Sequence, residues 1–176
     1  DDPENPQEIG HYVTNGRAIR ITVSDDYAYI AQGDSGICIL SIANLQRPDE
    51  IGCILTTEYA SEVTVSEGYV YVADRRGGLR IISAEDPENP TEVGFYDPDW
   101  NVRGITVYGD LAYVAGGYGG LRIISIADLE HPEEIGLVET EGRTRRIVFS
   151  GEYAYVADGS GGLLIFSVED PEHPQL

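Results

Sequence analysis

The sequence of 176 residues contains neither methionine nor lysine, and all eleven of its basic residues are arginines. Its 31 acidic residues give a formal net charge of −20, which on average repels nucleic acid and anionic lipid, so we expect neither as a partner. No apolar run approaches the roughly 18 residues that cross a bilayer, and the first ten residues do not resemble a signal peptide. We therefore expect no membrane insertion and, because position 1 is not methionine, a trimmed or processed chain.

Motifs that carry catalysis or hold metals are also missing. The sequence has no Ser/His/Asp arrangement for nucleophilic catalysis, no CxxC pair and no HExxH helix motif. Its acidic, proline-bounded loops lack the ligand spacing of an EF-hand. The sequence therefore predicts no catalytic residue, no metal site and no cofactor, and calcium at the acidic, proline-bounded loops is left open as an alternative.

A repeat of 42 residues runs through the whole chain without insertion or deletion. The pair Ile9-Gly10 recurs as Ile51-Gly52, Val93-Gly94 and Ile135-Gly136. A tyrosine, an alanine, a glycine and a serine keep the same step, at Tyr29, Ala31, Gly36, Ser41 and their equivalents. Self-similarity at this period is typical of repeat architectures. We predict one domain over residues 1–176, with repeats at approximately 9–50, 51–92, 93–134 and 135–176.

Each repeat contains four short segments with the composition of β-strands. In the second copy, turns rich in glycine and proline separate segments of aromatic and β-branched residues: Val63–Val65, Tyr69–Ala73, Leu79–Ser83 and Thr91–Tyr96. No stretch of ten residues carries helical periodicity. Four strands per unit of about 42 residues predict an all-β protein, a β-propeller of four four-stranded blades.

The repeat also resembles a known family. The segments Gly77–Ser83, Asp86–Pro90 and Glu92–Gly94, and the Tyr-Ala-Tyr-Val-Ala-Asp stretch Tyr153–Asp158, are similar to the LVIVD repeat. The resemblance covers all four copies and implies a β-propeller in a surface-exposed or secreted bacterial or archaeal protein, with no shared catalytic residues. The main departure is a serine where the family often has aspartate, at Ser41, Ser83, Ser125 and Ser167.

The points at which the chain begins and ends within the repeat do not decide how the ring of blades closes. The chain opens with a fourth-strand segment, Pro6–Val13, and closes after a third-strand segment, Leu163–Ser167, so the N-terminal strand can complete the last blade and remove an exposed sheet edge. Three arrangements fit: a four-bladed ring, half of an eight-bladed ring made by two chains, or part of a larger propeller.

The two cysteines fall on adjacent strands of one blade. Cys38 lies on a third strand and Cys53 on the fourth strand that follows it. If the position numbers of paired residues sum to 91, the two side chains face each other and can form a disulfide, whereas a slip of one residue separates them. A disulfide and two buried free thiols both remain open, and a disulfide would support an oxidising compartment.

The arginines are distributed unevenly. In a propeller, the loops that lead into the innermost strands lie at the same end as the loops that join second to third strands. Eight of the eleven arginines fall in or near these two sets of loops. The same loops contain three aromatic residues that have no aromatic equivalent in the other repeats. The predicted ligand-binding residues are Arg17, Arg20, Tyr59, Arg75, Arg76, Trp100, Arg103, Tyr118, Arg143, Arg145 and Arg146. Arginine beside exposed aromatic rings suits acidic glycans, carboxylates or an acidic protein.

An alternative is that these arginines neutralise nearby carboxylates or join neighbouring blades. The candidate carboxylates are Glu58, Glu62, Asp74, Asp99 and Glu141.

From these features we expect a non-enzymatic interaction or assembly scaffold that is extracellular or at the cell surface. Its expected partners are further copies of itself (a homodimer or larger assembly), other surface proteins or acidic glycans. One alternative is an enzyme that holds an anionic substrate in the central channel, with Glu62 as base beside Arg20 and Arg146. Another is a purely structural subunit of a larger assembly.

Overall fold

In the computed structural model, which describes residues 4–171 and residue 174, the chain forms four antiparallel sheets that follow one another along the sequence. Blade 1 consists of β1 (Arg20–Ser24), β2 (Tyr27–Ala31), β3 (Ile37–Ser41) and β4 (Asp49–Ile54). Blade 2 consists of β5 (Glu62–Ser66), β6 (Tyr69–Ala73), β7 (Leu79–Ser83) and β8 (Thr91–Tyr96). Blade 3 consists of β9 (Gly104–Tyr108), β10 (Leu111–Ala115), β11 (Leu121–Ser125) and β12 (Glu133–Val138). Blade 4 consists of β13 (Arg146–Ser150), β14 (Tyr153–Ala157) and β15 (Leu163–Ser167), with a 3₁₀ turn at Gly159–Gly161.

The predicted all-β propeller of four-stranded units is confirmed. In blade 2 the second, third and fourth strands have the predicted bounds, and the first extends one residue further at each end. Glu67 and Gly68 both have positive φ, at 51° and 81°, and form the tight turn between β5 and β6. Each blade is thus a meander of antiparallel strands set by local turns.

The strand register in blade 1 decides between the two states of the cysteines. Cys38 on β3 pairs directly with Cys53 on β4, so their position numbers sum to 91 as the prediction required. Their Cα atoms are 4.1 Å apart and the side chains form a disulfide. The described residues contain no free cysteine.

Most of the core of the described residues lies in three apolar layers, each between two successive blades, and a smaller fourth cluster lies on blade 1. Between blades 1 and 2, the buried Tyr29, Ala31, Ile37 and Ile39 of blade 1 pack with Val63, Val70, Val72 and Ile82 of blade 2. We call the face of a blade that packs on the following blade, here the face of blade 1 with Tyr29 and Ile37, its trailing face. The face that packs on the preceding blade, here the face of blade 2 with Val63 and Val70, is its leading face. The same positions form the layers between blades 2 and 3 and between blades 3 and 4.

Backbone hydrogen bonds also join each blade to the next at one end of the sheets. The loop after the second strand of one blade forms a bridge to the residues just before the first strand of the next, at Gly33–Ala60, Arg75–Val102 and Gly117–Thr144. The predicted meeting of these two loop sets at one end is therefore confirmed. We call it the bridged end.

The N-terminal segment differs from the prediction that it pairs as a strand. Residues 6–14 form no strand, and blade 4 has three strands within the described part of the chain. The segment lies on blade 1, where Tyr12 packs against Ala28, Ile30 and Leu40 and its hydroxyl donates to Glu50 Oε2 over 2.9 Å. These contacts hold it on the first blade rather than on β15.

Among the described residues, none belongs to a helix with the length and apolar character needed to cross a membrane.

Candidate functional site

A cavity of about 330 Å³ at the bridged end brings together five of the eleven arginines. Its lining residues come from all four blades: Ile19, Arg20, Ser61, Arg75, Arg103, Arg143 and Arg145. We call this cavity the Arg pocket. Five of the eleven predicted ligand-binding residues thus meet in one place.

The repeat explains why the pocket forms at the meeting point of the blades. The pocket includes four residues of one repeat position, each directly before an innermost strand: Ile19, Ser61, Arg103 and Arg145. Sequence reasoning missed Ile19 and Ser61 because it searched for unshared charged and aromatic residues. Their 42-residue spacing from Arg103 and Arg145 was the signal that would have identified them.

Four arginines of the pocket have no acidic partner among the described residues. Arg20 forms an ion pair, but Arg75, Arg103, Arg143 and Arg145 have no carboxylate within 4.0 Å there. The pKa of Arg103 is lowered, first by burial and then by repulsion from Arg143, Arg75 and Arg145. The pocket therefore concentrates uncompensated positive charge in a strongly acidic protein.

One of these side chains also has a buried donor without a partner. The Nε atom of Arg143 is inaccessible to solvent and makes no hydrogen bond in the described structure. Its guanidinium carbon lies 5.3 Å from the centre of the Tyr118 ring, and that tyrosine is 84% exposed. An unpaired cation beside an exposed ring can receive an anionic group that also offers a surface for stacking.

Arg75 occupies a backbone position that glycine occupies in the other three blades. Its φ is 53°, in the left-handed region that L-residues other than glycine rarely adopt, whereas the equivalent residues are Gly33, Gly117 and Gly159. Its guanidinium carbon lies 3.8 Å above the centre of the Tyr59 ring. A strained residue that carries a charge into a pocket is a functional candidate.

Glu62 makes the contacts that the enzyme alternative required, but both of its oxygens are engaged. Oε2 lies 3.4 Å from Arg20 Nε and Oε1 lies 3.5 Å from Arg146 Nη2, and the side chain is 9% exposed. Glu62 does not line the Arg pocket. For this carboxylate, the sequence alternative of charge neutralisation by arginine is correct.

The remaining predicted residues lie outside the Arg pocket. Arg76 and Trp100 line a second cavity with Asp99. Arg76 and Tyr59 line a third cavity with Glu58 and Asp34, and Arg75 of the Arg pocket also lines it. These two cavities are mixed in charge. Arg17 is exposed and is not among the lining residues of any of these cavities.

Trp100 was expected among the exposed aromatic residues, but it is half-buried. Its ring packs on Gly116 and Gly119 and joins the apolar layer between blades 2 and 3. This environment indicates a packing role.

Within the described part of the chain, one cluster has the residue types of a metal site. It consists of Cys38, Glu50 and Cys53. The disulfide removes the thiolates that would bind a metal ion.

Comparison with known proteins identifies the repeat. The model of the LVIVD repeat matches residues 15–56, 58–98, 101–140 and 141–176, which confirms the resemblance noted in the sequence. Among curated proteins, none matches the sequence.

Solved structures share the fold at low sequence identity. The computationally designed Ika4 protein has a TM-score of 0.72 and 7% identity over 93% of this chain and 98% of its own. The computationally designed Ika8 protein has a TM-score of 0.71 and 9% identity, over 94% of this chain and 50% of its own. A functionally unknown protein from Desulfotomaculum acetoxidans DSM 771 has a TM-score of 0.78 and 12% identity, over 94% of this chain and 57% of its own. The chain therefore spans about half the length of the last two proteins.

Proposed function

The chain belongs to the LVIVD repeat family, and within this propeller framework we propose that it is a non-enzymatic interaction module that binds an acidic glycan through the Arg pocket. The observation that carries the proposal is the convergence of five arginines on one cavity of about 330 Å³ in a protein of net charge −20. Like charges brought together without partners repel one another, and a bound anion would relieve that repulsion. The guanidinium fork matches the oxygens of a carboxylate or sulfate group.

The aromatic residues favour a sugar as the carrier of the negative charge. Tyr118 is exposed beside Arg143, and Tyr59 lies beneath Arg75. A pyranose ring can lie on a tyrosine ring while its uronate or sulfate group pairs with the neighbouring guanidinium. The acidic surface elsewhere would disfavour general adsorption of anions and restrict binding to this pocket.

We place the module outside the cell or at its surface, which the Cys38–Cys53 disulfide supports. Disulfides persist in oxidising compartments and are rare in the cytosol. The strong negative charge is compatible with this setting because it keeps the protein soluble.

Isothermal titration calorimetry with a sulfated hexasaccharide tests the proposal. We expect the unmodified protein to bind it, and the Arg103→Gln/Arg143→Gln variant to bind at least tenfold more weakly. Arg47→Gln is the control for removal of an arginine outside the pocket, because it lies in an exposed loop that joins a third to a fourth strand, at the opposite end of the blade. A neutral hexasaccharide controls for stacking alone.

Two results would contradict the proposed function. One is the absence of binding by the unmodified protein, and the other is equal affinity of the pocket variant and the Arg47→Gln control. Affinity should also fall as salt is raised from 0.05 to about 0.5 M, because salt screens charge pairs near a surface.

A further inference from the structure

Blade 4 leaves an apolar face uncovered at one end of the blade series. On its trailing face, Leu163 is 65% exposed and Ile165 is 43% exposed. Residues at the same repeat positions in the other three blades are all 0% exposed: Ile37, Ile39, Leu79, Ile81, Leu121 and Ile123. Blade 4 therefore has the apolar residues that form a blade-to-blade contact elsewhere in the chain, but in the part of the chain that the structure describes no neighbouring blade covers them.

Blade 1 leaves part of the complementary face uncovered at the other end, beyond the area of Ala28, Ile30 and Leu40 that Tyr12 covers. On its leading face, Ile21 is 62% exposed and Val23 is 58% exposed. The residues equivalent to Ile21 are Val63, Ile105 and Ile147, which are 4%, 4% and 2% exposed. Apolar side chains that are buried at every internal contact are thus open to solvent at both ends.

Among the residues that the structure describes, the backbone bridge of the internal contacts does not form at these two faces. Gly159 of blade 4 is equivalent to Gly33, whose bridge partner is Ala60. The residue of blade 1 equivalent to Ala60 is Ala18, which is exposed, whereas Ala60 is fully buried. The trailing face of blade 4 and the leading face of blade 1 therefore have both halves of a contact that the chain already forms three times.

The N-terminal segment is already placed as the outer strand of a blade that would precede blade 1. The Tyr12 hydroxyl donates to Glu50 Oε2 over 2.9 Å, just as the Tyr96 hydroxyl of an outer strand donates to Glu134 Oε2 of the next blade over 2.8 Å. A Cβ on Gly10 would overlap the carbonyl oxygen of Leu45, as one on the outer-strand Gly52 would overlap that of Pro87. The position of an outer strand on the leading face of blade 1 is therefore filled by the N-terminal segment.

We propose that these two faces belong to one interface, which forms twice between two copies of this chain and closes a ring of eight blades. In each mixed blade, β13, β14 and β15 come from one copy and the outer strand, residues 7–12, comes from the other. Two identical head-to-tail contacts related by a two-fold axis leave no free apolar face and no unpaired edge on β15.

A second copy fits the structure better than closure of one chain on itself. Self-closure would change the tilt at all three internal layers, whose central side chains are already fully buried. Close-packed layers resist such changes, whereas a second copy can dock on the faces as they stand. The inference does not depend on the Arg pocket and adds to the proposed function.

An engineered disulfide tests the mixed blade directly. Leu164 and His11 occupy the repeat positions of Cys38 and Cys53, so Leu164→Cys with His11→Cys should reproduce that pair across the interface. In a Cys38→Ala/Cys53→Ala background, we expect a covalent dimer on a non-reducing gel. Leu163→Cys with His11→Cys is the control, because one step along β15 turns the thiol to the other side of the sheet.

The other outcomes of this experiment overturn the inference. An intrachain disulfide at high yield would show that one chain closes its own ring, and the absence of any cross-link would show that residues 7–12 do not pair with β15.

The solution mass of the unmodified protein gives a second readout that does not depend on the variants. Light scattering should report twice the chain mass of 19.2 kDa. Leu163→Glu, which places a charge on the apolar face, should reduce the mass to that of one chain. Leu137→Glu is the matched control, because Leu137 is 41% exposed on an internal blade. A single-chain mass for the unmodified protein at 0.5 mM would overturn the proposal.

Discussion

The indole ring of Trp100 lies over Gly116, where an added Cβ would come within 2.9 Å of the indole Cε3 atom. In blade 4 the same two repeat positions hold Gly142 and Asp158, and the Gly142 amide donates to Asp158 Oδ2 over 2.8 Å. Asp74 accepts in the same way from a backbone amide in blade 2. Blade 3 thus fills with an indole ring the space that a buried carboxylate fills in two other blades.

Replacing Trp100 with alanine should therefore cost stability more than it costs ligand binding. We expect the free energy of unfolding to fall by about 2 kcal/mol, less than for a fully buried tryptophan because the ring is half-exposed. Urea unfolding measures the loss, and Tyr118→Ala, at an 84% exposed ring, should change it little. Adding Gly116→Asp to Trp100→Gly copies the blade 4 pair and should restore part of the stability. An unchanged free energy of unfolding in Trp100→Ala would contradict the packing role.

Replacing Arg75 with glycine should weaken anion binding without a loss of stability. Glycine removes the strain of a left-handed residue, worth about 1 kcal/mol, and this offsets the lost contact with Tyr59. We expect the free energy of unfolding to stay the same or rise slightly, while affinity for the sulfated hexasaccharide falls several-fold.

The neighbouring Arg76→Gly variant is the matched control for Arg75→Gly. Arg76 does not line the Arg pocket and is not among the residues with positive φ, so its replacement relieves no strain. Its affinity should stay near that of the unmodified protein. A large loss of stability in Arg75→Gly, or equal affinities of the two variants, would contradict a ligand-binding role for Arg75.

The blades were predictable because the 42-residue repeat places every strand and loop four times over. The register of Cys38 and Cys53 and the meeting of the bridged loops follow from that regularity. The pocket was predictable only in part, because its position comes from the repeat whereas its composition comes from departures from the repeat. The role of Trp100 could be found only by noticing that Gly116 stands where two other copies have aspartate.

Pairing of side chains could not be predicted from the repeat. Eight arginines share one end, yet Arg146 pairs with Glu62 from a different blade while Arg103 and Arg143 have no described carboxylate partner. These differences depend on distances of a few ångströms between blades, which no local pattern encodes. The repeat also does not predict that the leading face of blade 1 and the trailing face of blade 4 are exposed. Every blade has apolar residues on these faces, and whether a face is covered depends on whether another blade lies next to it.

Reduction of the disulfide should destabilise the protein. Cys38 and Cys53 close a short loop, with a sequence separation of 15, and the chain-entropy model gives about 3 kcal/mol for a loop of this size. Urea unfolding with and without dithiothreitol measures the difference, and the Cys38→Ala/Cys53→Ala variant should not respond to the reductant. A midpoint that is the same in both conditions for the unmodified protein would contradict a stabilising role.

Alkaline pH should destabilise the protein through two tyrosines. Burial raises the pKa of Tyr71 to about 12, and burial together with the hydrogen bond to Glu134 raises the pKa of Tyr96 to about 12. An unfolded tyrosine loses its proton near pH 10, so between pH 10 and 12 the unfolded state binds fewer protons than the folded state. The contribution of these two tyrosines is therefore fully present below pH 10 and is lost as the pH rises through this window, by up to about 1.4 kcal/mol per pH unit for each tyrosine.

Urea unfolding at pH 9, 10, 11 and 12 tests this dependence. Between pH 10 and 12, Tyr71→Phe should lose less stability than the unmodified protein, because the phenylalanine that replaces the buried tyrosine has no hydroxyl to titrate. Tyr118→Phe, at a ring that is 84% exposed, is the control and should follow the unmodified protein. If Tyr71→Phe and Tyr118→Phe lose stability equally between pH 10 and 12, burial of the Tyr71 hydroxyl is not the cause of the alkaline instability.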